Sequence, residues 1–98
     1  MDINVRYHNF FYLATGKRTE QVVIPEGSTL EDLIIDLLNR YGEPRTGKLG
    51  FRRILNSEGR IEPAILIFCN GRYVVELPSE CFLKDHDNID LFHAIGGG

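Results

Sequence analysis

Apolar and polar residues alternate at the start of the chain, with Ile3, Val5 and Tyr7 on one side of an extended segment and Asn4, Arg6 and His8 on the other. A period of two marks a half-buried strand. The doublet Phe10-Phe11 breaks that parity. Either a bulge lies near Asn9, or the strand ends there and the aromatics pack as a loop. Turn chemistry at Thr15-Gly16-Lys17-Arg18 precedes a second apolar segment, Gln21 to Ile24, which predicts an antiparallel hairpin closed by Pro25-Glu26-Gly27.

From residue 28 the period changes. Leu30, Leu33, Ile34, Leu37, Leu38 and Tyr41 recur at helical spacing, while Glu31, Asp32, Asp36, Asn39 and Arg40 take the other face. Ser28-Thr29-Leu30-Glu31 fits a capping box with Ser28 as cap, and Thr29 serves equally well. Gly42 stands where a left-handed C-terminal residue is wanted, and Pro44 blocks continuation. Residues 43–63 read as a long loop with one apolar patch at Phe51, Ile54 and Leu55. Ala64 to Cys69 is apolar throughout, which in a strand predicts burial on both faces and a central place in the sheet. Asn70-Gly71 suits a type I′ hairpin leading into a short strand from Arg72 to Leu77, and Ile89 to Ile95 is the last strand. One helix on one sheet of four to five strands is an α+β domain.

At 98 residues the chain is a single domain, 1–98. A net charge of −3 gives no global field for nucleic acid or anionic lipid, and no apolar run approaches a membrane span. No leader pattern opens the sequence, and Cys69 and Cys81 are too few for a disulfide framework, so the expected compartment is the cytoplasm.

The sequence closes on Phe92-His93-Ala94-Ile95-Gly96-Gly97-Gly98, a strand running into three glycines. Glycines without Cβ can thread a narrow channel and adopt whatever backbone angles it demands. A carboxylate delivered that way is inert until ATP converts it to an acyl-adenylate that a sulfur or amine nucleophile can attack. A frayed terminus is the plain alternative.

With these features the chain resembles the MoaD and ThiS families of small sulfur carriers, closer to the molybdopterin synthase small subunit. The likeness rests on INVRYHNFFYLATGK, on IPEGSTLEDLIIDLLNRYG, on ILIFCNGRYV and on LKDHDNIDLFHAIGG. Leu83, Asp85, Asp87 and Ile89 keep the family's Leu-x-Asp-Gly-Asp-x-Val frame, with His86 in place of its glycine. The resemblance implies a ubiquitin-like β-grasp fold with a mixed sheet. It implies a carrier without catalytic residues or a bound cofactor, whose terminal Gly98 is adenylated with ATP by a ThiF/MoeB-like enzyme. Gly96 and Gly97 would form a flexible stem, mobile with Gly98 on the ps to ns timescale. The sulfur would pass to a synthase such as a MoaE-like large subunit. A protein modifier using the same terminus and a thiamine-branch carrier are the alternatives.

Alternation in the last strand sets Ile89, Leu91, His93 and Ile95 against Asp90, Phe92 and Ala94. Phe92, with Ile95 near the tail, is a candidate partner contact; alternatively Phe92 covers a second apolar face against Phe51. Residues 42–49 nearly spell a P-loop, but Leu49 replaces the magnesium-binding hydroxyl. Arg40, Arg45, Lys48, Arg52, Arg53 and Arg60 cluster as a merely solvated loop, or as one that complements an acidic partner or binds an anion. Cys69, Cys81, His86 and His93 match no common zinc spacing, so no metal site is expected.

Overall fold

The computed structural model describes residues 1–41 and 54–94. The elements run β1 (Asp2–Tyr7), α1 (Phe10–Thr15), β2 (Thr19–Val23), α2 (Leu30–Tyr41), β3 (Ile65–Cys69), β4 (Arg72–Tyr73), a 3₁₀ turn (Pro78–Glu80) and β5 (Asn88–His93). Among the described residues the five strands form one sheet in the order β2-β1-β5-β3-β4. The β1–β5 pair is parallel and the others are antiparallel. This is the mixed β-grasp sheet that the resemblance implies, with α2 as the one long helix among the described residues.

The alternating start of the chain does form β1, and Ile3, Val5 and Tyr7 are buried. They meet Leu30, Leu33, Ile34 and Leu37 of α2 in the core, with Ile89 and Leu91 from β5 and Ile65 and Ile67 from β3. Each such side chain contributes about 1.5–3 kcal/mol by leaving water. The structure corrects the reading of the aromatic doublet: β1 ends at Tyr7 and Phe10-Phe11 open a short helix, neither a bulge nor a loop. Helical spacing lets Phe11 enter the core while Phe10 stays exposed. Gly16 ends α1 in the left-handed conformation, its N–H donating to the Tyr12 carbonyl.

The cap of α2 is Thr29. Its hydroxyl accepts from the Asp32 N–H at 3.3 Å, and the Asp32 carboxylate accepts from the Thr29 N–H at 2.8 Å. Ser28 instead turns its hydroxyl onto the Pro25 carbonyl. At the other end, the hydroxyls of Tyr7 and Tyr41 donate to Glu20 at 2.7 and 2.6 Å, while Lys17 and Arg40 reach the same carboxylate at 3.2 Å. This cluster ties the last turn of α2 to β2. Burial alone would raise the Glu20 carboxyl, but these hydrogen bonds hold it below the usual range.

The all-apolar strand is not central. β3 lies between β5 and the short edge strand β4, and it buries only one face, through Ile65 and Ile67. Leu66 and Phe68 are half-buried on the other face, where Phe68 meets Tyr73 and Phe92 with ring centroids 5.6 and 5.7 Å apart. The central strand is β5. The returning strand β4 is shorter than expected, only Arg72–Tyr73, after an Asn70-Gly71 turn with both φ angles positive.

Part of the 43–63 connection is described. Ile54 is fully buried, and Leu55 pairs with Ile61 in an isolated bridge. The expected cap at Gly42, the P-loop-like stretch 42–49, Phe51 and the basic residues Arg45, Lys48, Arg52 and Arg53 lie outside the described residues. Among the described residues, no helix is long and apolar enough to cross a membrane.

Candidate functional site

The candidate site is the end of β5, the strand that carries the chain toward its glycines. Ala94 is the last residue described, so Ile95, Gly96, Gly97 and Gly98, with their expected mobility, lie outside the described residues.

The turn before β5 fixes where the strand begins. His86, which stands where the resemblance expects a glycine, adopts a positive φ of 69°, and its N–H donates to the Asp2 carbonyl at 2.7 Å. Asp85 accepts from the Asp2 N–H at 2.7 Å. Asp87 accepts from the Lys84 N–H and from the Asn70 side chain, each at 2.8 Å. Both the start of β1 and the Asn-Gly hairpin therefore hold this turn.

Asp90 is the charged residue at the middle of β5, and it is only 8% exposed. Arg6 donates to it through two nitrogens at 2.8 and 2.7 Å, and His8 Nε2 lies 2.8 Å from its Oδ1. Parallel pairing of β1 with β5 brings Arg6 and His8 to the face that Asp90 occupies. Burial alone would raise the Asp90 carboxyl, but the hydrogen bonds and charges of Arg6 and His8 outweigh it and hold the group below the ordinary carboxylate range. A depressed carboxyl stabilises the fold above its unfolded value, and that contribution fades as pH falls through the folded one. Asp90→Asn is therefore expected to cost about 1–3 kcal/mol at neutral pH. Denaturant titrations should show its gap from wild type closing below about pH 4. A gap unchanged between neutral and acid pH would contradict this.

Phe92 follows on the same face, half-buried. Its ring stacks on His8 with centroids 4.0 Å apart and planes 8° from parallel, and stands edge-on to Phe68. It belongs to a ring cluster on the face opposite α2. Phe51, the alternative partner, lies outside the described residues.

On the helix-bearing face His93 meets Phe10 edge-on, with centroids 5.1 Å apart. The Asn9 side chain accepts from the His93 N–H and donates to the His93 carbonyl, both at 2.9 Å. The Ala94 N–H donates to the Ala64 carbonyl at 2.7 Å. Both edges of β5 are thus held up to the last described residue. Beside this exit, Phe10 and Leu13 of α1 are about half exposed.

Sequence reading placed the tail, Phe92 and Ile95 at this end but missed Asn9, Arg6, His8 and Asp90. The spacing Arg6-x-His8 opposite an aspartate on another strand is a usable signal only once the pairing of first and last strands is assumed. The residues weighed for zinc do not converge. Among the described residues, the ligand-type side chains that do are Asp2, Asp85 and His86 at the surface. Burial pushes the Cys69 thiol up to about 11, and raises Cys81 as well, so neither offers a thiolate near neutral pH.

Comparison with solved structures finds the same fold repeatedly. A putative molybdopterin converting factor subunit 1 from Pyrococcus furiosus is 28% identical, with a TM-score of 0.73 over 97% of this chain and 99% of that one. Small archaeal modifier protein 1 of Haloferax volcanii is 17% identical, with a TM-score of 0.72 over 96% and 98%. The structure of the BexX/CysO complex of Amycolatopsis orientalis contains a chain 21% identical, with a TM-score of 0.67 over 98% and 99%. No curated protein sequence matches. The model of the ThiS family matches residues 5–98, from the middle of β1 through the glycines. By that match and by its β-grasp architecture, the chain belongs to the ThiS family of ubiquitin-like sulfur carriers.

Proposed function

We propose that this chain carries sulfur as a thiocarboxylate on Gly98. In this reading a ThiF/MoeB-like enzyme joins the terminal carboxylate to the AMP moiety of ATP and releases pyrophosphate. Hydrosulfide then attacks the carbonyl carbon and displaces AMP, leaving a thiocarboxylate whose sulfur passes to a synthase. The chain supplies no catalytic group and binds no cofactor; ATP is bound by the activating enzyme. Gly96 and Gly97 form the slim stem, and Gly97 would take over as the activated residue in a form trimmed by one residue. Phe92 and Ile95 contribute to the surface that the partner meets.

The observation that carries this reading is the course of β5, which runs through the centre of the sheet, is braced on both edges at His93 and Ala94, and leads into Gly96-Gly97-Gly98. Such a layout suits a rigid body presenting a thin reactive end. The similarity to the Pyrococcus molybdopterin converting factor subunit favours molybdopterin synthesis; in this reading the recipient is a MoaE-like large subunit and the compartment is the cytoplasm. The similarity to the archaeal modifier protein favours a second reading, conjugation of the same terminus to lysines of other proteins. Incubation with a cognate adenylating enzyme, ATP and a sulfur source separates them. Intact mass should show one oxygen replaced by sulfur. Isopeptide-linked adducts on other proteins, with no such mass change, would establish the modifier reading instead.

A further inference from the structure

We propose that Asn9 is the positioning residue for the tail: its carboxamide continues the β1–β5 ladder past the point where β1 turns away, and so sets the direction in which the chain leaves the sheet. The inference rests on the carrier reading above.

The ladder shows what Asn9 replaces. The Asn4 N–H donates to the Asp87 carbonyl, and four residues later the His8 N–H donates to the Leu91 carbonyl. In a parallel pair the carbonyl of the same residue receives the N–H two positions further along the neighbouring strand, which here is His93. That bond is not made: β1 has ended, the His8 carbonyl accepts the Phe11 N–H as α1 begins, and the His93 N–H turns to Asn9. The Asn9 side-chain oxygen, Oδ1, accepts the His93 N–H in its place, and the side-chain nitrogen, Nδ2, donates to the His93 carbonyl, both at 2.9 Å. The two partners also fix which end of the carboxamide is oxygen, since an N–H needs an acceptor and a carbonyl needs a donor.

The backbone of Asn9 is bent to make this possible. It sits at φ 42° and ψ −115°, in the positive-φ region that disfavours side chains, and its oxygen also accepts the Phe10 N–H at 3.0 Å. Glycine would fit those angles more easily, but glycine has no carboxamide. A side chain kept at a strained position, with both a donor and its acceptor engaging the last residue of the strand that leads to the tail, is the signature of a positioning role.

Two variants of the full chain test it. Asn9→Gly suits the backbone angles and, as an N-cap, costs little stability, but removes both bonds to His93. Asn9→Asp keeps the acceptor for the Phe10 and His93 amides and turns the donor into an oxygen facing the His93 carbonyl. With a purified ThiF/MoeB-type enzyme from the same genome, ATP–pyrophosphate exchange is followed against carrier concentration. Both variants are expected to raise KM about tenfold, since the partner must then order the released residue itself. They should leave kcat within about twofold, because the carboxylate chemistry is untouched. Without any partner, the His93 amide should exchange at least about tenfold faster in Asn9→Gly, while Leu91 stays protected. A wild-type KM in either variant, a loss confined to kcat, or unchanged His93 exchange would overturn the proposal. Failure of the wild-type chain to support exchange would instead overturn the carrier reading, and the role of Asn9 with it.

Discussion

Removal of Gly97 and Gly98 is expected to abolish activation while leaving the fold intact. The deletion draws the terminal carboxylate back by roughly 7 Å of extended chain. Since a misplacement of only about 1 Å can cost on the order of a hundredfold in rate, turnover should become undetectable. An added residue after Gly98 should do the same by converting the carboxylate to a peptide bond. Stability should hardly change, because the core formed by the described residues takes nothing beyond Leu91. Calorimetry should place the melting temperature within about 2 °C of the full chain, the size of a surface change. A large fall in Tm would mean that the glycines pack against the domain, and retained activation would mean that the reactive group lies elsewhere.

The largest effect on stability is expected at Phe11. Its side chain is fully buried, whereas Phe10 beside it is 49% exposed. Phe11→Ala should cost about 3–5 kcal/mol, a large share of the total for a domain this size. That lowers Tm by more than about 12 °C. Phe10→Ala should stay within about 0.5 kcal/mol. Chemical denaturation of the two variants measures the contrast. Equal costs would mean that α1 does not set one ring inward and its neighbour outward.

Where side-chain periodicity and burial coincide, the fold was legible in the residues. α2 carries its apolar stripe on the face that meets the sheet, and β1 alternates because only one of its faces is covered. The Asn70-Gly71 turn was legible because its two positive φ angles are ones that an Asn-Gly pair adopts readily. The errors have physical causes too. α1 is six residues long, too short for a helical period to show, and its cap is an asparagine already committed to another strand. β3 reads as buried on both faces because an aromatic cluster half-covers its outer side, a cover supplied by Tyr73 across the hairpin and by Phe92 from a distant part of the sequence. At the site, the glycines and Phe92 were visible as local sequence, whereas Asn9, Arg6 and His8 acquire meaning only from pairing with residues 82 to 84 positions away.

Hydroxylamine trapping tests the central claim most directly. The chain is incubated with its adenylating enzyme and ATP, hydroxylamine displaces AMP from any acyl-adenylate, and fragmentation mass spectrometry locates the resulting hydroxamate. The account predicts a hydroxamate on Gly98 alone, formed only when both ATP and enzyme are present. A hydroxamate on a side-chain carboxylate, or none while the enzyme consumes ATP in response to the chain, would contradict it.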